Sequence, residues 1–154
     1  MNEEEFYMEA AIQEAEKALA IGEVPIGAVI VKEGKIIGRG YNKRENMQAT
    51  LSHAELFAIA EANEVVGSWR LEECTLYVTL EPCPMCAGAI VQSRMHRVVY
   101  GASDPKGGCA GTIMNLLEEP RFNHQVVWEK GVLGETCKQL LQDFFKKIRS
   151  HKKK

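Results

Sequence analysis

The residues best equipped for chemistry are His53, Glu55, Cys83 and Cys86. His53-Ala54-Glu55 is followed, thirty positions after the histidine, by Pro82-Cys83-Pro84-Met85-Cys86. Pro84 suits the first position of a helix. Cys83 and Cys86 therefore open that helix three residues apart and share one face, one turn from each other. Backbone amides at a helix N-terminus favour thiolate over thiol. One imidazole with two thiolates is a borderline-soft donor set, which suits zinc in a tetrahedral shell. Zn²⁺ with two thiolates is formally neutral, so such a site can be buried without a stranded charge.

The number of ligands separates structure from catalysis. Structural zinc sites are closed by four protein ligands, whereas catalytic ones keep a position for water. Cys74, Cys109, Cys137, His96, His124 and His151 are the remaining candidates, and none forms a second paired motif. Three ligands and one zinc ion per subunit are expected. Glu55 has two readings. Ser52-His53-Ala54-Glu55 fits a capping box, in which Glu55 bonds back to the Ser52 amide and merely starts a helix. A carboxylate two residues from a zinc ligand can also move protons to and from an attacking water. The cysteine pair favours the second reading, with Glu55 as the catalytic acid–base of a hydrolytic reaction.

Periodicity outlines the elements that must carry these residues. Met8, Ala11, Ile12, Ala15 and Leu19 recur at helical spacing, so residues 3–21 form an amphipathic helix stopped by Gly22. Residues 25–31 and 35–41 flank Glu33-Gly34 as a β-hairpin. A polar stretch from Asn42 to Ser52 leads into a helix beginning near His53. Strands are expected at 75–79, 97–100 and 125–128, with helices at 85–93, at 113–118 and from Glu135 onward. A hairpin followed by alternating helices and strands indicates α/β layers around one mixed sheet.

Composition sets outer limits. Length and the absence of a linker or repeat suit one domain over 1–154. Hydrophobic residues at 45% and charged residues at 26% exclude disorder. No apolar run reaches the roughly 18 residues of a membrane span, and five cysteines with a single close pair argue against a disulfide framework. A cytoplasmic protein is expected. The net charge of −2 hides an asymmetry. Residues 1–145 carry 13 Lys/Arg against 21 Asp/Glu, a balance of −8, while the last nine residues carry six Lys/Arg and no acid. The basic end, at about 144–154, suits a phosphate backbone, or is a solvated helix end whose cations complement the helix dipole.

The H-x-E…P-C-x-x-C pattern is a zinc deaminase signature, and the chain resembles the cytidine deaminase superfamily. The bacterial tRNA-specific adenosine deaminases are the branch it is most similar to. The resemblance runs over roughly residues 5–150, through 23–29, Tyr41-Asn42, His53-Ala54-Glu55, the block 75–89, 97–102 and Phe144-Phe145 with its basic end. It implies a three-layer α/β/α sandwich with a five-stranded mixed sheet, and a homodimer. It also implies conversion of the wobble adenosine in the anticodon stem-loop of an arginine tRNA to inosine. His53, Cys83 and Cys86 become the zinc ligands and Glu55 the proton shuttle. Ile26, Asn42 and Ala54 would line the base pocket, and Asp104, Lys106, Phe145 and Arg149 would meet the RNA. Plainer roles exist for several of these: Asn42 as a turn residue, Ile26 as core, Asp104 as a turn starter before Pro105, and Phe145 as packing on the sheet. Leu51-Ser52 before His53 and Cys109 in a glycine-rich loop depart from the pattern without touching a ligand.

Two other functions fit the same motif. A superfamily deaminase acting on a free guanine, cytosine or deoxycytidylate would need no basic aromatic end. A zinc-stabilised RNA-binding module would need a fourth protein ligand.

Overall fold

The computed structural model describes residues 1–152. Lys153 and Lys154 of the basic end lie outside the described residues. A five-stranded sheet has the order β2 (Lys35–Tyr41), β1 (Gly27–Lys32), β3 (Thr75–Leu80), β4 (Arg97–Ala102), β5 (Val127–Lys130). The hairpin pair β1–β2 and the pair β1–β3 are antiparallel, and β3–β4 and β4–β5 are parallel. The sheet is therefore mixed, as the resemblance implies. Helices α1 (Glu3–Ala20) and α5 (Gly134–Lys152) cover one face; α3 (Ala54–Val66) and α4 (Pro84–Gln92) cover the other. A single turn of helix, α2 (Arg44–Met47), follows β2.

Burial explains the strand pattern. β1, β3 and β4 lie inside the sheet with both faces covered, and they are near-continuous apolar runs with almost every residue buried. β5 is short, mostly exposed and carries Glu129 and Lys130, which suits an edge. It begins two residues later than its periodicity suggests. The expected helix at 113–118 contracts to a 3₁₀ turn at Leu116–Glu118, capped by the Asn115 side chain.

Two helix starts differ in a way that bears on the site. At α1 the Asn2 side chain accepts the Glu5 amide at 2.8 Å while Glu5 reaches back to Asn2, a complete capping box. At α3 the capping residue is His53, not Ser52, and no side-chain cap bond forms. Glu55 then sits one position too early for the reciprocal bond, and Ser52 Oγ turns to the Met47 sulfur instead. The capping reading of Glu55 is thereby removed.

The placement of α3 depends on missing side chains in β2. A Cβ on Gly38 would stand 2.3 Å from the Ala58 carbonyl oxygen, and one on Gly40 would stand 2.2 Å from that of Ala54. Ala54, Ala58 and Ala62 complete the contact from the helix side, all fully buried. This small-on-small seam sets how deep the N-terminus of α3 sits, and with it His53 and Glu55. Gly40→Ala should lower the unfolding free energy by about 1–3 kcal/mol through overpacking, read from urea melts. A cost below about 0.5 kcal/mol would show that the seam does not set the helix position.

Candidate active site

Two helix N-termini meet at the carboxyl end of β3. Cys83 caps α4 with extended backbone angles, Pro84 takes the first helical position, and Cys86 follows one turn later. His53 caps α3 opposite them. The His53 Nδ1 lies 3.6 Å from Cys83 Sγ and 3.5 Å from Cys86 Sγ. With Zn–S near 2.3 Å and Zn–N near 2.0 Å, a tetrahedral ion would hold such atoms roughly 3.5 Å apart. The donor set fits zinc in kind and in spacing. Among the described residues, this trio is the one His/Cys/Asp/Glu cluster with ligand-like spacing. Cys74, Cys109 and Cys137 are buried and free elsewhere, and His96, His124 and His151 do not join the cluster.

The three groups are electrostatically coupled. Cys86 donates its S–H to Cys83 and pulls the Cys83 thiol down to about 4, against the opposing effect of burial and with help from His53. The same bond, together with burial, pushes the Cys86 thiol well above its ordinary value. The hydrogen bond to Cys83 raises His53. Unaided, the pair sheds one proton; a soft divalent ion would compensate two thiolates. Glu55 is 4% exposed beside them, and burial pushes its carboxyl up to about 7, with the Cys83 charge adding to the shift.

A cavity of about 270 Å³ opens on this cluster. Ile26, Asn42 and Ala54, expected in the base pocket, line it with His53, Glu55 and Cys83, and so do Asp104 and Phe145, expected to meet the RNA. Cys86 lies behind them, fully buried. The volume is just under the roughly 300–1,000 Å³ usual for drug-sized ligands, which suits one flat ring. Lys106 and Arg149 do not reach this cavity. They line an adjoining depression of about 1,210 Å³ between the β4 loop and α5, which shares Val24, Leu80, Asp104 and Phe145 with it.

Several local readings are sharpened. Asn42 does form a turn, its Oδ1 accepting the Arg44 amide at 3.2 Å and its Nδ2 donating to Val24 O at 3.3 Å. It occupies the pocket wall at the same time, with a further N–H available. Phe145 is not the residue that packs on the sheet. Phe144 is the buried member of the pair at 8% exposed, while Phe145 is 43% exposed at the junction of cavity and depression.

Sequence reasoning misses Val24, Leu80, Arg44 and Glu81 in the wall, and Glu23 behind it. Glu23 is 1% exposed. It accepts the backbone N–H of Glu45 at 3.2 Å and of Asn46 at 2.6 Å, and the Asn46 side chain at 2.7 Å. These bonds fix α2 and place Arg44. A lone acid between Gly22 and Val24 gives no sign of this, because its partners lie more than twenty positions away.

The geometry can now be set beside known proteins. Residues 1–149 match the family model of the MafB19-like deaminases. A tRNA-specific adenosine deaminase of Bacillus subtilis is 58% identical over 153 residues, 99% of this chain and 95% of that protein. The chain belongs to the tRNA-specific adenosine deaminase family. The Aquifex aeolicus member is 46% identical over 96% of this chain and 97% of its own length. A solved structure from studies of A-to-I editing by tRNA:A34 deaminases at the wobble position superposes with a TM-score of 0.84 at 40% identity, covering 88% of this chain and 99% of that one. A guanine deaminase from Nitrosomonas europaea shares the fold at 21% identity, with a TM-score of 0.79 over 91% of this chain and 83% of that one.

Burial alone would raise the Glu23 carboxyl, but its hydrogen bonds from Asn46 and Glu45 outweigh burial and lower it. A carboxyl lowered on folding adds stability above its unfolded pKa and loses it as pH falls through the folded value. Glu23→Gln should therefore cost about 1–3 kcal/mol at pH 7. The gap to wild type should close as the pH drops below about 4. Urea melts at both pH values test this, and a gap independent of pH would contradict it.

Proposed function

We propose that this protein hydrolytically deaminates the wobble adenosine of a tRNA anticodon, with an arginine tRNA as the expected substrate, to give inosine. It acts in the cytoplasm as a homodimer, with one zinc ion per subunit held by His53, Cys83 and Cys86. The observation that carries this reading is a ring-sized pocket walled by His53, Glu55 and Cys83 with Cys86 behind them, opening past an exposed Phe145 into a cation-bearing depression. A deaminase of free bases needs neither the depression nor the exposed ring.

The zinc ion, when bound, supplies the Lewis acidity that makes water a nucleophile near neutral pH. The protein's own groups do the rest. Glu55, enclosed beside the ligands, takes a proton from the attacking water and delivers it to N1 of adenine. The water oxygen adds to C6; Glu55 then takes the remaining proton from the new C6 hydroxyl and passes it to the exocyclic amine, which leaves as ammonia while the C6 carbonyl forms. Asn42 offers its remaining N–H to the ring edge, and Ile26 and Ala54 provide apolar walls. The base must leave its stack to enter so narrow a cavity. Lys106, Lys138, Lys146 and Arg149 line the depression and meet the phosphate chain, while Phe145 provides a face on which a neighbouring base can stack.

Glu55→Ala should keep its zinc and lose turnover by roughly 100-fold or more, measured by metal analysis and ammonia release; retained activity would remove the shuttle role. Cys86→Ser should lose the metal, since a neutral hydroxyl is a poor zinc ligand, and a fully loaded variant would contradict the ligand assignment. Changing Lys146 and Arg149 together to Gln should flatten the log–log salt dependence of anticodon stem-loop binding by about 1.4. An unchanged slope would mean that these cations are only solvated.

A further inference from the structure

Glu81 is a carboxylate with no part in the reaction as described, and it is 2% exposed. It follows β3 directly and stands two residues before Cys83, on the segment that delivers the metal ligands. All the hydrogen bonds of its carboxylate go to the loop after β4. Its Oε1 accepts the Asp104 amide at 3.0 Å, and its Oε2 accepts the Ala110 and Thr112 amides, each at 3.0 Å. The Thr112 hydroxyl donates to Oε1 as well, at 2.5 Å. Gly108 passes so close that a Cβ there would lie 2.4 Å from the Glu81 carboxyl carbon. One buried carboxylate thus gathers both ends of the loop 104–112.

That loop carries Asp104, which lines both the base pocket and the adjoining depression. The Asp104 Oδ1 is already committed to the Lys106 and Gly107 amides, at 3.0 and 3.2 Å. Its Oδ2 has no hydrogen bond among the described residues, and the residue borders both cavities. Its position is set by the loop backbone rather than by packing of its own side chain, because the loop crest at Ser103, Pro105 and Lys106 is exposed.

We propose that Glu81 is a positioning residue for nucleic-acid engagement, tying the ligand-bearing β3–α4 segment to the loop that presents Asp104, so that the pocket and its mouth keep a fixed spacing. This rests on the RNA deaminase reading above. Glu81 acts through Asp104 on the capture of the RNA and leaves the chemical step at Glu55 alone.

A double-mutant cycle on the zinc-loaded protein separates this from general support of the fold. Glu81→Gln, Asp104→Asn and the double variant are compared with wild type on an anticodon stem-loop RNA, with zinc content measured for each. Glu81→Gln should raise KM about tenfold, keep kcat within about threefold, and retain one zinc per chain. Added to Asp104→Asn, it should raise KM by less than about twofold more. Independent, multiplicative effects on KM would overturn the proposal, as would a loss falling on kcat or on zinc content. Thr112→Val removes a single donor from the same cluster; it should show the same KM-only effect at about threefold even if Glu81→Gln folds poorly, and an unchanged KM there would count against the proposal. Wild-type turnover on the RNA tests the function itself. Amide hydrogen exchange at Asp104, Ala110 and Thr112 needs no substrate and tests the tie separately. Exchange there should quicken about tenfold or more in Glu81→Gln, and unchanged protection would overturn it.

Discussion

Everything in this molecule answers to one requirement: a nitrogen and two sulfurs, separated by thirty residues of chain, must converge to about 3.5 Å. The fold meets it by aiming two helix N-termini at each other across the carboxyl end of β3. Each helix start places its capping residue in the cluster, His53 for α3 and Cys83 for α4. A helix start is a good place for this, because its free amides favour negative charge and its geometry is fixed by the turn that follows. Depth is then adjusted by the glycine–alanine seam between β2 and α3. A bulkier side chain in that seam would lift His53 and Glu55 together away from the cysteines.

Around this fixed point part of the pocket wall is loop, and loops need anchoring. Two buried acids provide it, Glu23 for the segment after β2 and Glu81 for the segment after β4. Both replace water around several backbone amides that face inward, which would otherwise carry a desolvation cost of about 1–3 kcal/mol each. In both acids the hydrogen bonds overcome burial and hold the carboxyl below its usual value. Glu55 is the opposite case. It is buried with no comparable set of amide donors, and its carboxyl rises to about 7. Three enclosed carboxyls are thus set apart by their partners, two held below and one raised above the usual carboxylate value.

How much of this was legible in the chain varies with the range of the interaction. The approach of His53, Cys83 and Cys86 to one another was readable because three-residue spacing after a proline encodes a shared helix face, and imidazole and thiols suit a common metal. The central strands were readable because burial on both faces leaves unbroken apolar runs. The role of Glu55 was ambiguous in sequence, since the same four letters write a capping box; a one-residue shift of the cap to His53 settles which side chain is free. The end of the sheet was less clear, because β5 is an exposed edge with weak alternation. The anchors were invisible, for an acid whose partners are amides 22 to 31 positions away has no local signature. Phe144 and Phe145 could not be told apart until α5 was seen against the sheet. The resemblance to tRNA deaminases named Asn42, Asp104 and Phe145 for the site. The structure groups them around one cavity, with Lys106 and Arg149 in the depression beside it.

The central claim joins a ring-sized pocket to an RNA-sized approach, and a substrate comparison tests it most directly. Zinc-loaded protein is incubated in parallel with an anticodon stem-loop bearing adenosine at the wobble position, with free adenosine and with free guanine, and inosine and ammonia are measured. Inosine at the wobble position, one ammonia per inosine and negligible turnover of either free compound are the predicted result. Deamination of guanine with the stem-loop left intact would contradict it.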